Sequence, residues 1–469
     1  MRIYTIILGV LVAAQMAVSG AVLDDAKALY SEGKYSEALP LMQEQYKKNP
    51  KNASLNHWLG VCLYQTGSKA ESKKYFTFAN GRKVLESSLY LSYLAFNDYD
   101  FEEAADYLDT YTAGMAKAKK ALSEEVEAYE QNVSAARSML EHVEKIVVID
   151  SLCVDKAEFF KAYKISDAAG TLASDDVLPY DRPEEPQMVY IPESGDRMMW
   201  SRPDIAGVLH ITQTIKLIDG SWEKYDTQSD VLNGGGDACF PYMLNDGSTL
   251  YYASNGKGSI GGYDIFRTRR EADSGEYLQP QNMGMPYNSP FDDYLLVVDE
   301  FTGVGWWATD RNQIPGMVTI YVFVPKEMRE NYEFEDPNLK SFARLSNYKA
   351  TWAEGTDCNE YLNRIAEIKR EPKKKAAEFH FALTKGKEYT RMSDVQTDEG
   401  RELLEEYMYM MAQQESTQSR LKELRKQWNK DGESESLRSE ILHAERSVLD
   451  YAQQIEELAN KVRKAEGVK

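Results

Sequence analysis

The spacing of hydrophobic positions divides the chain into three stretches. From Ala26 the spacing is helical, and the helical units themselves recur. Ala26, Leu29, Tyr30, Gly33, Tyr35 and Ala38 form one unit, closed by Pro50. Trp58-Leu59-Gly60, Leu63-Tyr64, Gly67, Ala70 and Tyr75-Phe76 form the next. Tyr90-Leu91, Leu94, Phe96, Tyr99, Phe101, Ala104 and Leu108 form a third, with Asp98 in place of the turn glycine. Gly33 to Gly67 is 34 residues, and Ala38, Ala70 and Ala104 follow one another at 32 and 34. Small residues at a fixed period let paired helices approach closely, and the aromatic residues fill the gaps between successive pairs. The stretch Lys117 to His142 reads as a further, charged capping helix.

At Lys145 the period changes. Ile146-Val147-Val148-Ile149-Asp150 is a β-branched run. A short helix is predicted over Ala157 to Tyr163, and a linker or loop over Ser174 to Gln187. A strand, turn, strand pattern then recurs three times. The copies are Met188-Val189-Tyr190-Ile191 with Met198-Met199-Trp200-Ser201, the stretch from Phe240 to Phe266, and Asp293-Tyr294-Leu295-Leu296-Val297-Val298 with Trp306-Trp307-Ala308-Thr309. Turn glycines fall at 195, 247 and 303 and the closing Ser or Thr at 201, 254 and 309, a repeat of 52–56 residues. Asp246-Gly247 between two strand-like runs is a hairpin signal, because the tight turn needs positive φ. Each copy is followed by an outer strand, at Val208–Ile211, Tyr263–Phe266 and Val318–Val324. That order of elements predicts the blades of a β-propeller. Three clear blades are few for a ring, so further strands are expected from Ile146–Ile149 and from Phe342–Trp352 or Phe379–Leu383. A degenerate propeller is expected rather than an open one, whose bare edge would invite aggregation.

After Glu399 the chain is strongly helical. Leu403, Tyr407, Met410, Gln414, Thr417, Leu421, Leu424 and Trp428 follow spacings of four and three, as do Leu437, Ile441, Ala444, Val448, Tyr451, Ile455, Leu458 and Val462. Each set falls on one seam of a helix, as in a coiled coil. The break at Asn429-Lys430-Asp431-Gly432 predicts an antiparallel hairpin, with Gln414 and Thr417 weakening the middle of its seam. Pairing with another subunit is the alternative use of these helices. At the other end, Met1-Arg2, the apolar run Ile6 to Ala14 and Ser19-Gly20-Ala21 read as a secretory signal peptide.

Three resemblances rest on these residues. The units from Ala26 to Ala116 resemble tetratricopeptide repeats. Asn-Asp-Gly-Ser-Thr-Leu-Tyr-Tyr-Ala-Ser-Asn at 245–255, with Gly-Gly-Tyr-Asp-Ile-Phe at 261–266, resembles PD40, the WD40-like repeat of TolB-type propellers. Trp-Trp-Ala-Thr-Asp-Arg at 306–311 is less close, and the first copy departs most. Together with a signal peptide, these modules are similar to bacterial cell-envelope proteins such as the PorE-like group associated with type IX secretion. The resemblance implies an exported, periplasmic protein, peripheral to the outer membrane, in an outer-membrane or secretion-associated assembly. Members of that group end in an OmpA-like domain. None follows here, so peptidoglycan anchoring by that route is not implied.

Charge sharpens the reading. Fifty-five basic and 75 acidic residues give −20, which disfavours nucleic acid and anionic membrane surfaces as partners. Cys62, Cys153, Cys239 and Cys358 form no Cys-x-x-Cys pattern, and His57, His142, His210, His380 and His443 are each isolated. No nucleophile elbow, His-Glu-x-x-His or phosphate-loop motif is present. Gly234-Gly235-Gly236-Asp237 opens onto a strand, with no helix N-terminus to supply amide donors, and reads as a loop. Asp292-Asp293 reads as a turn or cap, since neighbours on a strand point to opposite faces.

The expected architecture is therefore multidomain α and β. It comprises a signal peptide (1–21), a tetratricopeptide solenoid with capping helix (22–142), a WD40-like propeller (143–396) and a helical coiled-coil hairpin (397–469). The expected function is a non-enzymatic scaffold binding envelope proteins or peptides, without cofactor or metal. Its candidate binding surface comprises Tyr64 and Tyr90 in the helices and Tyr251, Tyr252, Trp306 and Trp307 in the propeller. The alternative is a glycan-binding or glycan-processing propeller using Trp306, Trp307, Asp292 and Asp293.

Overall fold

The computed structural model describes residues 22–180, 186–217, 220–233, 235–326, 328–352, 358–368, 381–384, 387–389, 392–431 and 434–467. The expected signal peptide lies outside these residues, as do Gly234 and His380. The chain divides into two units, Met1–Lys369 and Arg370–Lys469.

The first unit begins with helices packed in pairs: α1 (residues 22–31), α2 (Tyr35–Lys48), α3 (Ala53–Gln65), α4 (Lys69–Gly81), α5 (Glu86–Asn97), α6 (Phe101–Lys117) and α7 (Glu124–Leu140). The predicted capping helix is thus α7, which starts later than Lys117. Asn52 caps α3 by accepting from the Leu55 N–H at 3.0 Å, satisfying one orphan donor of the first turn. Ala26, Ala38, Met42, Leu55, Leu59 and Leu63 form the first core, and Val61, Phe76, Leu91 and Leu94 the next. A Cβ on Gly60 would lie 2.8 Å from the Phe76 ring, so glycine sets the approach of α3 to α4.

Two repeat positions differ from the sequence reading. The small side chains that α4 buries are Ser72 and Ala79, both at 0% exposure, whereas Ala70 is exposed. At 3.6 residues per turn, two residues carry a side chain to the far side of the helix. The turn position of the third pair is filled by Tyr99 at φ 60°, where Gly33 and Gly67 take 74° and 90°. A bulky residue in the left-handed region is an outlier held by its surroundings. Tyr99 is 1% exposed, and its hydroxyl lies beside Ser289, Asp293 and Arg311 of the sheet region. Helices α5–α7 and the residues Ile260 and Met285 share one apolar core.

After β1 (Val147–Asp155) come β2 (Thr171–Ser174), β3 (Met188–Ile191), β4 (Arg197–Pro203), β5 (Leu209–Ile215), β6 (Asp226–Thr227), the short α8 (Asp230–Asn233), β7 (Ala238–Met243), β8 (Thr249–Ser254), β9 (Asp264–Arg269), β10 (Gln281–Asn282), β11 (Asp293–Asp299), β12 (Val304–Thr309) and β13 (Met317–Val324). They form three antiparallel meanders. The first has order β2-β3-β4-β5-β6, the second β7-β8-β9-β10, and the third β11-β12-β13 with β1 as its outer strand. The predicted run Ile146–Ile149 thus extends into a nine-residue strand that completes the last sheet. A single apolar core joins all three sheets, through Tyr190 and Met199, Tyr242 and Leu250, and Val297 and Trp306.

The strand expected within Phe342–Trp352 does not form. Instead α9 (Leu339–Arg344) and a 3-10 turn at Tyr348–Thr351 occupy that stretch. Its apolar residues Phe342, Leu345, Tyr348 and Trp352 recur every three or four positions, a helical rather than an alternating period. The segment covers the outer edge of the third sheet. Thr351 Oγ1 accepts from the Val148 N–H at 3.0 Å, and Trp352 Nε1 donates to the Val148 carbonyl at 2.6 Å. Side-chain partners on an edge strand remove its template for pairing with other chains. The helix α10 (Asn359–Glu367) adds Tyr361, Leu362 and Ile365 to the same core. The predicted short helix at Ala157–Tyr163 is a 3-10 turn, Phe159–Ala162.

In the second unit, β14 (Phe381–Thr384) pairs with β15 (Lys387–Tyr389). The expected strand at Phe379–Leu383 is therefore part of a small hairpin beside the terminal helices α11 (Asp398–Asp431) and α12 (Glu435–Ala465). These run antiparallel, with Leu404 against Ala459 at one end and Leu424 near Ala444 at the other. Between the two apolar clusters, Gln414 Nε2 donates to the Val448 carbonyl at 3.3 Å and Thr417 bonds its own helix, so the mid-seam is polar. Among the described residues no helix is long and apolar enough to cross a membrane.

Candidate interaction surfaces

The loops joining the sheets are built twice on one plan. In the second sheet the Asp237 N–H donates to Asn255 Oδ1 at 2.7 Å, and Asp237 Oδ1 accepts from the Leu209 N–H of β5 at 2.9 Å. In the third sheet the Asp292 N–H donates to Asp310 Oδ1 at 3.0 Å, and Asp292 Oδ1 accepts from the Tyr263 N–H at 3.0 Å. Asn233 and Asn288 add matching clasps on the Ile211 and Ile265 N–H groups, at 2.8 and 2.7 Å. Asn233 to Asn288, Asp237 to Asp292 and Asn255 to Asp310 are each 55 residues. Each aspartate thereby hooks the start of one sheet to the third or fourth strand of the sheet before it. The asparagines escape a reading by hydrophobic pattern, and their 55-residue spacing is the signal that finds them.

The glycines of Phe240–Phe266 serve these hooks. A Cβ on Gly262 would lie 1.9 Å from Asp292 Oδ1, and one on Gly256 would lie 2.0 Å from the Gly235 carbonyl. Two backbones meet where a side chain would stand.

Asp292 and Asp293 face different surroundings. Asp292 is 28% exposed and takes the Tyr294 hydroxyl at 2.5 Å, with Lys156 Nζ 3.4 Å away. Asp293 is sealed. Its Oδ1 lies 2.9 Å from Arg311 Nη2, and its Oδ2 accepts from the Ser289 hydroxyl at 2.7 Å. Arg311 also donates to the carbonyls of Pro286 and Tyr287, at 2.8 and 2.9 Å. Burial pushes the Asp293 carboxyl up to about 6, with the guanidinium pulling the other way. Burial raises Asp264 to about 7, assisted by nearby Asp293, while its oxygens accept from Asn282 and from the Ile260 and Gly261 N–H groups. Such carboxylates hold loops in place, as a turn or cap reading of the pair requires.

The four strand aromatics do not offer ring faces. Trp306 and Trp307 are 1% and 0% exposed, and Tyr251 and Tyr252 are 8% and 3%. Trp307 lies among Tyr287, Tyr321 and Phe323, with ring centroids 5.1–5.5 Å apart. Their expected place in the binding surface is corrected for this reason: every residue of β8 and β12 is buried on both faces. Tyr64 and Tyr90 differ. Both are half-buried and lie edge to face at 5.3 Å. The chain of rings continues from Tyr90 to Tyr93 at 5.9 Å and from Tyr93 to Tyr129 at 4.6 Å, and a second group joins Tyr30, Tyr35 and Trp58. Most of these rings lie on α1, α3, α5 and α7, the first helix of each pair or its capping equivalent. Tyr30 and Tyr64, both part of the hydrophobic spacing of their repeat units, are one 34-residue period apart, whereas Tyr93 and Tyr129 fall outside that spacing. Burial raises the Tyr64 and Tyr90 phenols and takes Tyr93 to about 12, so these edges present neutral hydroxyls. His57 is buried against Ser87 Oγ at 2.9 Å and is held below its ordinary value by desolvation.

Against families of known proteins, residues 29–76 match the tetratricopeptide repeat model. The match runs from the end of α1 into α4, and it suggests a protein–protein interaction module. No curated protein matches the chain.

Proposed function

We propose that this protein is a non-enzymatic cell-envelope scaffold that holds a protein or peptide partner on the aromatic ladder of its helical stack. The observation that carries the proposal is the tetratricopeptide match at 29–76, which includes Tyr64 and abuts the half-buried ring of Tyr90. Tyrosines combine large contact area with a polar tip and lose little side-chain freedom on binding, which suits them to recognition. We further propose that the three sheets are blades of a degenerate WD40-like propeller. The 55-residue recurrence of the aspartate hook supports this, as does the completion of the last sheet by the first strand of the region. Export rests on the sequence at 1–21. A sugar platform would need exposed indole faces, and the sealed Trp306 and Trp307 do not support one.

The test is a pull-down from envelope extract with the wild type and with the double variant Tyr64→Ala, Tyr90→Ala. The expected result is a partner recovered by the wild type and lost in the double variant, whose circular dichroism is unchanged. Equal recovery by both, or none by the wild type, would overturn the assignment of this face.

A further inference from the structure

Between the second and third sheets lies a polar cavity of about 160 Å³. Three cations border it, Arg267 on β9 and Lys326 and Arg329 after β13, in a chain of net charge −20. Two of them have carboxylate partners. Lys326 Nζ lies 2.9 Å from Glu330, and Arg329 Nε lies 3.2 Å from Glu144. Arg267 has no such partner among the described residues. The Tyr251 and Tyr287 rings also line the cavity, and the Tyr287 hydroxyl meets Glu144 Oε1 at 3.3 Å. The Glu144 side chain is 11% exposed, and burial raises its carboxyl above the ordinary range against the opposing pull of Arg329.

We infer that this cavity is a receptor for a carboxylate, free or at the end of an acidic side chain, with Arg267 as its principal ligand. The Arg267 guanidinium lies beside the Tyr251 hydroxyl and within electrostatic reach of Glu144, and its planar fork of five donors can still match a carboxylate in two parallel hydrogen bonds. At roughly 30 Å³ per water, the space takes about five waters or a small acid head group. Glu144 at the wall sets the charge class. A doubly charged phosphate beside the buried Glu144 carboxylate meets a repulsion that a singly charged carboxylate meets only in part. Tyr251, too buried to serve as a stacking platform, becomes a wall of this site, and the site is independent of the aromatic ladder.

The full chain is titrated calorimetrically at low ionic strength with acetate, with a short Asp/Glu peptide and with inorganic phosphate. The same titrations are run on Arg267→Gln and on Arg269→Gln, an exposed neighbour two residues along the strand that does not border the cavity. Saturable binding of acetate or of the acidic peptide is expected. Arg267→Gln weakens it by about tenfold or more, the scale of a charged hydrogen-bonded pair, and Arg269→Gln leaves it unchanged. Binding of acetate identifies a free acid as sufficient, and binding of the peptide alone identifies an acidic side chain. The inference is overturned by no saturable carboxylate binding at millimolar concentrations, by equal binding in Arg267→Gln, or by phosphate binding more tightly than either carboxylate.

Discussion

Two pairs of aromatic residues, one in the helical stack and one in the sheets, meet opposite fates. Tyr64 and Tyr90 keep part of each ring open to solvent, whereas Trp306 and Trp307, equally prominent in the sequence, are sealed. The difference lies in what covers each element. A helix in a two-layer stack buries one stripe and leaves its flanks open, so a ring at the stripe's edge is half-exposed. A strand leaves alternate residues open only if one face of its sheet meets water. β12 has neighbours on both faces, and its burial is continuous. Adjacent tryptophans therefore both become core, and the alternation that would leave one of each pair outward does not operate.

That contrast can be broken or sharpened by substitution. The largest effect is expected at the sealed positions. Trp307→Ala should cost about 3–5 kcal/mol, and Arg311→Met, which strands the buried Asp293, a similar amount, both read as lowered urea midpoints. A cost below about 1 kcal/mol for Trp307→Ala would show that the site is open after all. Tyr99→Ala should follow at about 3–4 kcal/mol, on the scale of truncating a large buried side chain. Because Tyr99 keys the stack into the sheets, this change should also separate one unfolding transition into two, seen by calorimetry. A single sharp transition would mean that the shared core of α5–α7, Ile260 and Met285 suffices.

A smaller effect concerns pH. Asp264 is raised from its ordinary 3.8 to about 7, and Asp293 to about 6. Between those values the unfolded chain binds fewer protons than the folded one, so stability falls as pH rises from about 4 to about 7. Asp264→Asn should flatten that slope in denaturation curves taken across the range, and an unchanged slope would remove Asp264 as its source. The smallest effect on stability is expected at the open edge. Tyr64→Ala should cost about 1–2 kcal/mol, although it should weaken partner binding.

Much of this organisation is legible along the chain because it depends on local spacing. The 34-residue helical period, the glycine turns at 195, 247 and 303, and the four-three seams of α11 and α12 each follow from rules acting over a few residues. Even the weak middle of the terminal hairpin is visible in Gln414 and Thr417, and it emerges as the polar gap between two apolar clusters. Contacts between distant segments were not legible. Ser72 rather than Ala70 faces the neighbouring helix, because the rotation of α4 is fixed by what it packs on. Trp352 caps β1 across 204 residues. The hook of Asp292 depends on Gly262, which makes room for its carboxylate, and at the hook of Asp237 Gly256 makes room for the backbone of Gly235.

By itself, then, the sequence determined the kind and order of the elements, since periods of 3.6 and two, turn glycines and caps act through the nearest neighbours along the chain. Only the tertiary structure decided which aromatic rings meet water, which carboxylates are structural, and where cations gather around a cavity. Exposure and charge environment belong to surfaces assembled from residues far apart in sequence, and no local rule specifies what will cover them.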